Sequence, residues 1–366
     1  MWGFDARLAP DRVTLGERPS VTSSTAGGAE TRRLPVRPLT SAAMRTLVIG
    51  GAGYIGSVVS SYLIAEGHEV IVLDDLSKGH DWAVPDGADF VRGDVTCLDD
   101  VVGAMRGCDS VMHFAALSLV GESMTDPLRY FRVNVGGTVN VLDAMTLTGC
   151  SRLVFSSTAA TYGEPESVPI LESAPTRPTN AYGAAKLAAD HAISFACAAS
   201  GLAATSLRYF NVAGAAYGCG EDHDPETHLI PLVLQAAART RPHISVYGTD
   251  YPTPDGTAIR DYIHVADLAR AHLLALGGAE PGEHRVYNLG NGRGFSVREV
   301  IDAARLVTGV DIPVVESDRR AGDPAVLVAS STRIQAELGW SPQLPDLETM
   351  IGDAWAFAQT HPDHHH

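Results

Sequence analysis

Thr46-Leu-Val-Ile-Gly50-Gly-Ala-Gly53-Tyr-Ile-Gly56 is the stretch from which the fold is read. A short apolar run rich in β-branched residues gives a buried strand. It runs straight into three glycines spaced GxxGxxG, and residues 54–66 continue as a helix. Glycines at these positions permit a tight turn and let a pyrophosphate approach the backbone. The helix behind them offers free N–H groups and the positive end of its dipole. A glycine triplet alone is a weak signal; between a strand and a helix it reads as a dinucleotide site.

The next strand, Glu69–Leu73, ends in Asp74-Asp75. Asp74 stands 18 residues after Gly56, where a carboxylate holds the adenosine ribose hydroxyls. A negative charge there repels a 2′-phosphate, so the expected cofactor is NAD rather than NADP. Gly93-Asp94-Val95 follows a third strand around Phe90-Val91. Asp94 fits a contact to the adenine amino group and, on spacing alone, equally fits a helix N-cap.

Further β-like runs occur at Ser110–His113, Leu153–Phe155 and Thr205–Arg208, with helix-length segments between them, notably 126–148 and 181–199. This alternation predicts an α/β fold: a Rossmann-type, doubly wound parallel sheet with helices on both faces. Beyond Tyr209 the pattern loosens, and helical periodicity returns at 229–240, 265–276, 296–308 and 346–359. The expected organisation is an NAD-binding domain over 44–210 and a mainly substrate-binding region over 211–366. The run Arg260–His264 and its following helix (about 259–277) are expected to return to the first sheet.

Residues 1–43 carry no apolar periodicity and no signal-like apolar centre. They read as a disordered extension or an upstream start-site artefact, with a regulatory tail as the other reading. His364, His365 and His366 fit a native end or a tag remnant and are given no metal role. The net charge of −16 argues against a nucleic-acid partner. No apolar run approaches the ~18 residues of a membrane span. Five cysteines without a CxxC pair fit a reducing cytoplasm, and no metal site is expected.

Tyr182-Gly-Ala-Ala-Lys186 places a phenol and an ammonium four residues apart, on one helix face. A phenol is a poor base at neutral pH, and neighbouring positive charge favours the phenolate. The spacing is common by chance; a partner upstream gives it meaning. Phe155-Ser-Ser-Thr158 ends a strand on the same side of the sheet, and Thr158 supplies a hydroxyl to bridge substrate and Tyr182. Together they form a proton-transfer set beside a hydride acceptor.

With these residues in view, the chain resembles the extended short-chain dehydrogenase/reductase family of sugar-nucleotide enzymes. The resemblance spans about residues 44–360. It rests on Gly50–Ser57, His113–Ser123, Phe155–Gly163, Ala181–Lys186, Arg208–Ala215, Asp250–Val265 and Tyr287–Val297. The long segment DYPTPDGTAIRDYIHV is far more specific than either short motif. It implies NAD-dependent interconversion of UDP-glucose and UDP-galactose, or 4-epimerisation of another UDP-sugar (UDP-N-acetylglucosamine, UDP-glucuronate or UDP-arabinose). Tyr182 would take the 4-hydroxyl proton. Tyr54 and Ile55 would lie at the pyrophosphate with Gly50, Gly53 and Gly56. Asp75 and Val95 would accompany Asp74 and Asp94, and Phe114, Ala115, Ala116 and Ser118 would run along the adenosine and ribose side. Asn134 would lie near the diphosphate or ribose, Lys186 on the nicotinamide ribose and Phe210 near the nicotinamide. Asn211, His228 and Leu229 would face the nucleotide. Arg260, Arg320 and Asp323 would hold the uridine diphosphate and its ribose. Relatives pair two long helices per subunit into a four-helix bundle, so a homodimer through 126–148 and 181–199 is implied.

Some family members carry Lys where Ser118 stands, and many carry Ser in place of Thr158. Leu327 occupies a position at which some relatives that exclude N-acetylated sugars place Tyr, which implies a roomier sugar pocket. Ala159 and Ala160 follow Thr158, where dehydratases carry Asp and Glu and related decarboxylases carry Glu. Neither alanine moves protons, so those branches are excluded. A non-catalytic NAD sensor would have no need of Thr158, Tyr182 and Lys186 together.

Overall fold

The apolar run that opens the pattern becomes an interior strand because both its faces meet helices. In a computed structural model, which describes residues 43–320 and 323–361, Leu47, Val48 and Ile49 are all buried. The first strands are β1 (Arg45–Ile49), β2 (Glu69–Asp74), β3 (Asp89–Arg92), β4 (Ser110–His113), β5 (Arg152–Thr158) and β6 (Ala203–Tyr209). They are followed by β7 (Asn211–Ala213), β8 (Ile244–Tyr247), β9 (Ile259–His264), β10 (His284–Leu289), β11 (Gly294–Ser296), β12 (Val314–Ser317) and β13 (Val326–Leu327). The helices are α1 (Tyr54–Ala65), α2 (Leu98–Met105), α3 (Val120–Thr125), α4 (Pro127–Tyr130), α5 (Gly137–Thr148) and α6 (Ala181–Ser200). Then come α7 (Leu229–Ala237), α8 (Val265–Ala275), α9 (Val297–Thr308), α10 (Thr332–Leu338) and α11 (Leu347–Thr360).

Seven parallel strands form the main sheet in the order β10-β6-β5-β4-β1-β2-β3. The winding reverses between β1 and β4, which opens a crevice at their carboxyl ends. Alternate residues of each strand feed opposite cores. Leu47, Ile49, Val111, Leu153 and Phe155 pack with Val141, Met145 and Ile193 on one face. Val48, Val72, Met112 and Val154 pack with Val58, Leu63, Leu268 and Ala271 on the other. A third cluster, with Val233, Val246, Tyr262, Phe295, Ile301 and Ile351, lies in the C-terminal half.

The structure differs from the sequence reading in three places. The run Arg260–His264 does not return to the main sheet: β9 pairs with β7, β11 and β13 in a separate four-stranded sheet. The place beside β6 is taken by β10, a strand that the sequence reading did not recognise. The helix after β9 does return, since Val265, Leu268 and Ala269 of α8 share a core with Val58, Val59 and Leu63 of α1. Residues 126–148 are not one α-helix; α4 and α5 are joined by a π-helical stretch, Phe131–Gly136. Such a turn re-aims side chains and is common near functional sites. The expectations for residues 1–42 and for His364, His365 and His366 fall outside the described residues.

Candidate active site

The glycine loop sits in the crevice beside the loop after β4. Gly50 has φ +82°, and a Cβ there would lie 2.5 Å from the Ala115 backbone nitrogen. A Cβ on Gly56 would lie 2.1 Å from the Gly50 carbonyl oxygen. Both positions therefore require glycine. At Gly53 a Cβ would meet nothing nearer than 3.6 Å, so the space above it is open. No side chain caps α1, whose first turn holds Tyr54, Ile55 and Gly56. An open, uncapped helix start of this kind fits a pyrophosphate.

Asp74 is buried at the end of β2 and accepts from Ala52 N (3.0 Å) and Leu76 N (2.9 Å). Burial raises its pKa above the usual carboxylate value, against the lowering by those two amides. The same bonds tie the acidic end of β2 to the glycine loop. Asp75 is exposed and accepts from Ser77 N. Asp94 is also exposed; its Oδ1 accepts from Thr96 N, while Cys97 is the N-cap of α2 and Val95 turns inward. Phe114, Ala115 and Ala116 are half-buried after β4, and Ser118 is exposed. Asn134, on the π-helical turn, is buried and spends both ends of its amide on Leu117, accepting from N (2.8 Å) and donating to O (2.9 Å). Its observed task is to hold the loop that carries Ala115 and Ala116.

At the carboxyl end of β5, Thr158 accepts from Ala160 N at 3.1 Å and caps the turn Ala159–Thr161. Asn180 caps α6 through Gly183 N at 2.8 Å. A Cβ on Gly183 would stand 2.4 Å from the Ala160 carbonyl oxygen, so the first turn of α6 lies directly on that turn. This contact sets the Tyr182 phenol near the Thr158 side chain. Burial raises the phenol above its ordinary value, and the Thr158 hydroxyl offsets part of the rise. The Lys186 side chain is buried, donates to Ser156 O at 2.8 Å and lies 4.7 Å from the centre of the Phe155 ring. Burial pushes its pKa down to about 8, against the pull of Asp190.

Asp190 lies one helical turn beyond Lys186, and the sequence reading passed over it. Its carboxylate accepts from Ser157 Oγ (3.1 Å), Ser206 Oγ (2.8 Å) and Arg208 Nη2 (2.9 Å). The four side chains are buried and cross-link α6 to β5 and β6. The i,i+4 spacing from Lys186 was its sequence signal. Gly183 was missed too, because no local rule marks a glycine needed by a carbonyl 23 residues away.

Phe210 and Asn211 are half-buried beyond β6, and Asn211 Nδ2 donates to Asp261 O at 3.0 Å. Arg260 pairs with Asp323 and donates to Ile259 O. Arg320 stacks on Tyr247 with its guanidinium carbon 4.0 Å from the ring centre. His228 is the N-cap residue of α7, ahead of Leu229, and its Nδ1 lies 2.7 Å from Glu221 Oε1. Asp261, which the sequence reading did not single out, is buried and accepts from Asn291 N, Gly292 N and Ala329 N at 2.7, 3.2 and 3.0 Å. It fixes β9, and with it Arg260, against two loops.

Residues 46–290 match the model of the NAD dependent epimerase/dehydratase family, and the chain belongs to that family. Over 319 residues it is 58% identical to the UDP-glucose 4-epimerase of Streptomyces lividans, covering 86% of this chain and 96% of that one. Over 323 residues it is 54% identical to the UDP-glucose 4-epimerase of Corynebacterium glutamicum, covering 88% and 98%. The crystal structure of UDP-glucose 4-epimerase from Brucella ovis in complex with NAD superposes with a TM-score of 0.82 at 46% identity, covering 86% and 98%.

The buried ammonium gives a pH test with opposite signs for activity and stability. The free enzyme's kcat/KM falls as pH rises through about 8, as Lys186 loses its proton. Its folded pKa lies below the unfolded one, near ~10.4. Between the two values the unfolded chain binds more protons, so this group's contribution to stability rises with pH. A pH–rate profile flat to pH ~10 would contradict the assignment.

Proposed function

We propose that the chain interconverts UDP-glucose and UDP-galactose by oxidation and re-reduction at C4 of the sugar. The observation that carries this is the meeting of Thr158, Tyr182 and Lys186 at the carboxyl end of the sheet, with Ala159 and Ala160 beside them. The names borne by the relatives, at 54% and 58% identity, support the same reaction. Bound NAD supplies the acceptor and then the donor of the C4 hydride, and its positive ring favours the Tyr182 phenolate.

Gly50, Gly53, Gly56, Tyr54 and Ile55 hold the pyrophosphate, and Asp74 holds the adenosine ribose. Tyr182 takes the proton of the 4-hydroxyl, and Thr158 fixes the line of that hydrogen bond. Lys186 holds the nicotinamide ribose and keeps positive charge near the phenol. Arg260, Arg320 and Asp323 hold the uridine diphosphate, while the 4-keto sugar turns about the diphosphate linkage to present its other face. Tyr182 then returns the proton to O4. A dehydration would need a further acid and base beside Thr158, and the two alanines supply neither. Tyr182→Phe retains NAD and the fold, and turnover drops by about 10²–10⁴-fold. Near-normal turnover in that variant would remove Tyr182 from this role.

Leu327 pairs in register with Arg260 across β13 and β9, which brings it beside the proposed diphosphate site. With a leucine where some N-acetyl-excluding relatives place tyrosine, the pocket also admits UDP-N-acetylglucosamine. NMR of a UDP-sugar panel shows UDP-N-acetylgalactosamine formed alongside UDP-glucose and UDP-galactose exchange. Turnover of the hexoses with none of the N-acetylated sugar would contradict the roomier pocket.

The protein works as a homodimer in the cytoplasm. Met124, Leu128, Leu147 and Phe195 are 60%, 65%, 67% and 78% exposed on α3, α4, α5 and α6, a surplus of apolar surface on adjoining helices. None of the five cysteines is paired, which fits a reducing compartment. Among the described residues no helix is long and apolar enough to cross a membrane. Light scattering gives twice the 38.6 kDa chain mass, and Phe195→Glu shifts it towards one chain. A wild-type mass of one chain would contradict the dimer.

A further inference from the structure

The loop entering α7 gathers Glu221, His223, Glu226 and His228, with one ligating atom of each within 4.8 Å of all the others. His228 Nδ1 is 2.7 Å from Glu221 Oε1 and 3.2 Å from Glu226 Oε1, and His223 Nδ1 is 3.2 Å from Glu221 Oε1. A tetrahedral zinc ion with bonds of about 2.0–2.1 Å sets its ligands about 3.3 Å apart. Two of the spacings, at 3.2 Å, are thus already close to those of a filled site. Two imidazole nitrogens and two carboxylate oxygens suit zinc and disfavour magnesium or calcium, which take oxygen ligands.

Charge points the same way. The Glu221 and Glu226 side chains are only 9% and 6% exposed, and two carboxylates buried together need a cation. Among the described residues no Lys or Arg forms an ion pair with either of them. The neighbouring basic groups are engaged elsewhere: Lys78 donates to the Asp224 carbonyl, and His80 faces Asp222. A divalent cation between neutral imidazoles offsets both charges, as protonation of both His223 and His228 would. Backbone N–H groups of Thr227 and His228 hold the Glu226 carboxylate at 2.6 and 2.7 Å, the outer support that metal ligands require. We propose that Glu221, His223, Glu226 and His228 form a zinc site that clamps residues 221–228 to the start of α7. The sequence reading weighed metal only at the cysteines and the C-terminal histidines and missed the Glu-x-His-x-x-Glu-x-His run.

The test uses the full chain with His364, His365 and His366 replaced by alanine, so that the histidine tail does not report. The chelator-treated protein is titrated with zinc chloride by calorimetry and with cobalt(II) by visible absorption. One equivalent binds with a micromolar or tighter Kd, and cobalt(II) gives the intense visible bands of four-coordination. His223→Ala and Glu221→Gln each weaken binding at least about tenfold. No stoichiometric binding to the folded protein, a pale six-coordinate cobalt spectrum, or binding that survives both substitutions overturns the proposal. Circular dichroism checks that each protein is folded; if neither variant folds, the two titrations of the parent protein decide.

Discussion

The first turn of α6 lies so close to the end of β5 that a single methyl group at Gly183 would collide with the Ala160 carbonyl. That approach sets the distance between a strand-end hydroxyl and a helical phenol, and the reaction centre follows from it. Asn180 and Thr158 each cap the local backbone at the junction, which fixes the start of α6 and the turn after β5. Further down the helix, Asp190 ties α6 to β5 and β6 through Ser157, Ser206 and Arg208. The buried Lys186 ammonium is then held between the Ser156 carbonyl and the Phe155 ring. A buried charge is costly unless paired or hydrogen-bonded, so the same contacts that place Lys186 also make its charge tolerable.

The cofactor and substrate sides of the crevice are built differently. On the cofactor side the backbone does the work: Gly50 and Gly56 admit no side chain, and Asp74 is bound by the amides of Ala52 and Leu76. On the substrate side, long side chains are arranged on a second sheet, and the buried Asp261 holds that sheet to the loops around it. Arg260 is already paired with Asp323, so under the proposed role a diphosphate would exchange one anionic partner for another instead of meeting a bare guanidinium.

The parallel sheet, the glycine loop and the Tyr182/Lys186 pair were legible in the sequence because each rests on local chemistry. Strand alternation, a GxxGxxG turn and a four-residue helical spacing need no knowledge of distant contacts. What escaped was set by long-range packing. β10 carries no strand signal stronger than that of β9, yet it takes the edge beside β6, while β9 is drawn into a second sheet by Asp261. The helix over 126–148 was expected to be regular, and its π-helical turn follows from anchoring Asn134 on Leu117. Neighbouring positive charge was expected to favour the Tyr182 phenolate; in the folded chain burial raises the phenol instead, an effect that the Tyr182–Lys186 spacing does not report.

The central claim is that the C4 hydride leaves the sugar and returns to it without meeting solvent. UDP-galactose carrying deuterium at C4, incubated with the enzyme in ordinary water and followed by NMR, tests this directly. The account predicts UDP-glucose with the deuterium still at C4. Loss of the label to solvent during conversion would contradict it.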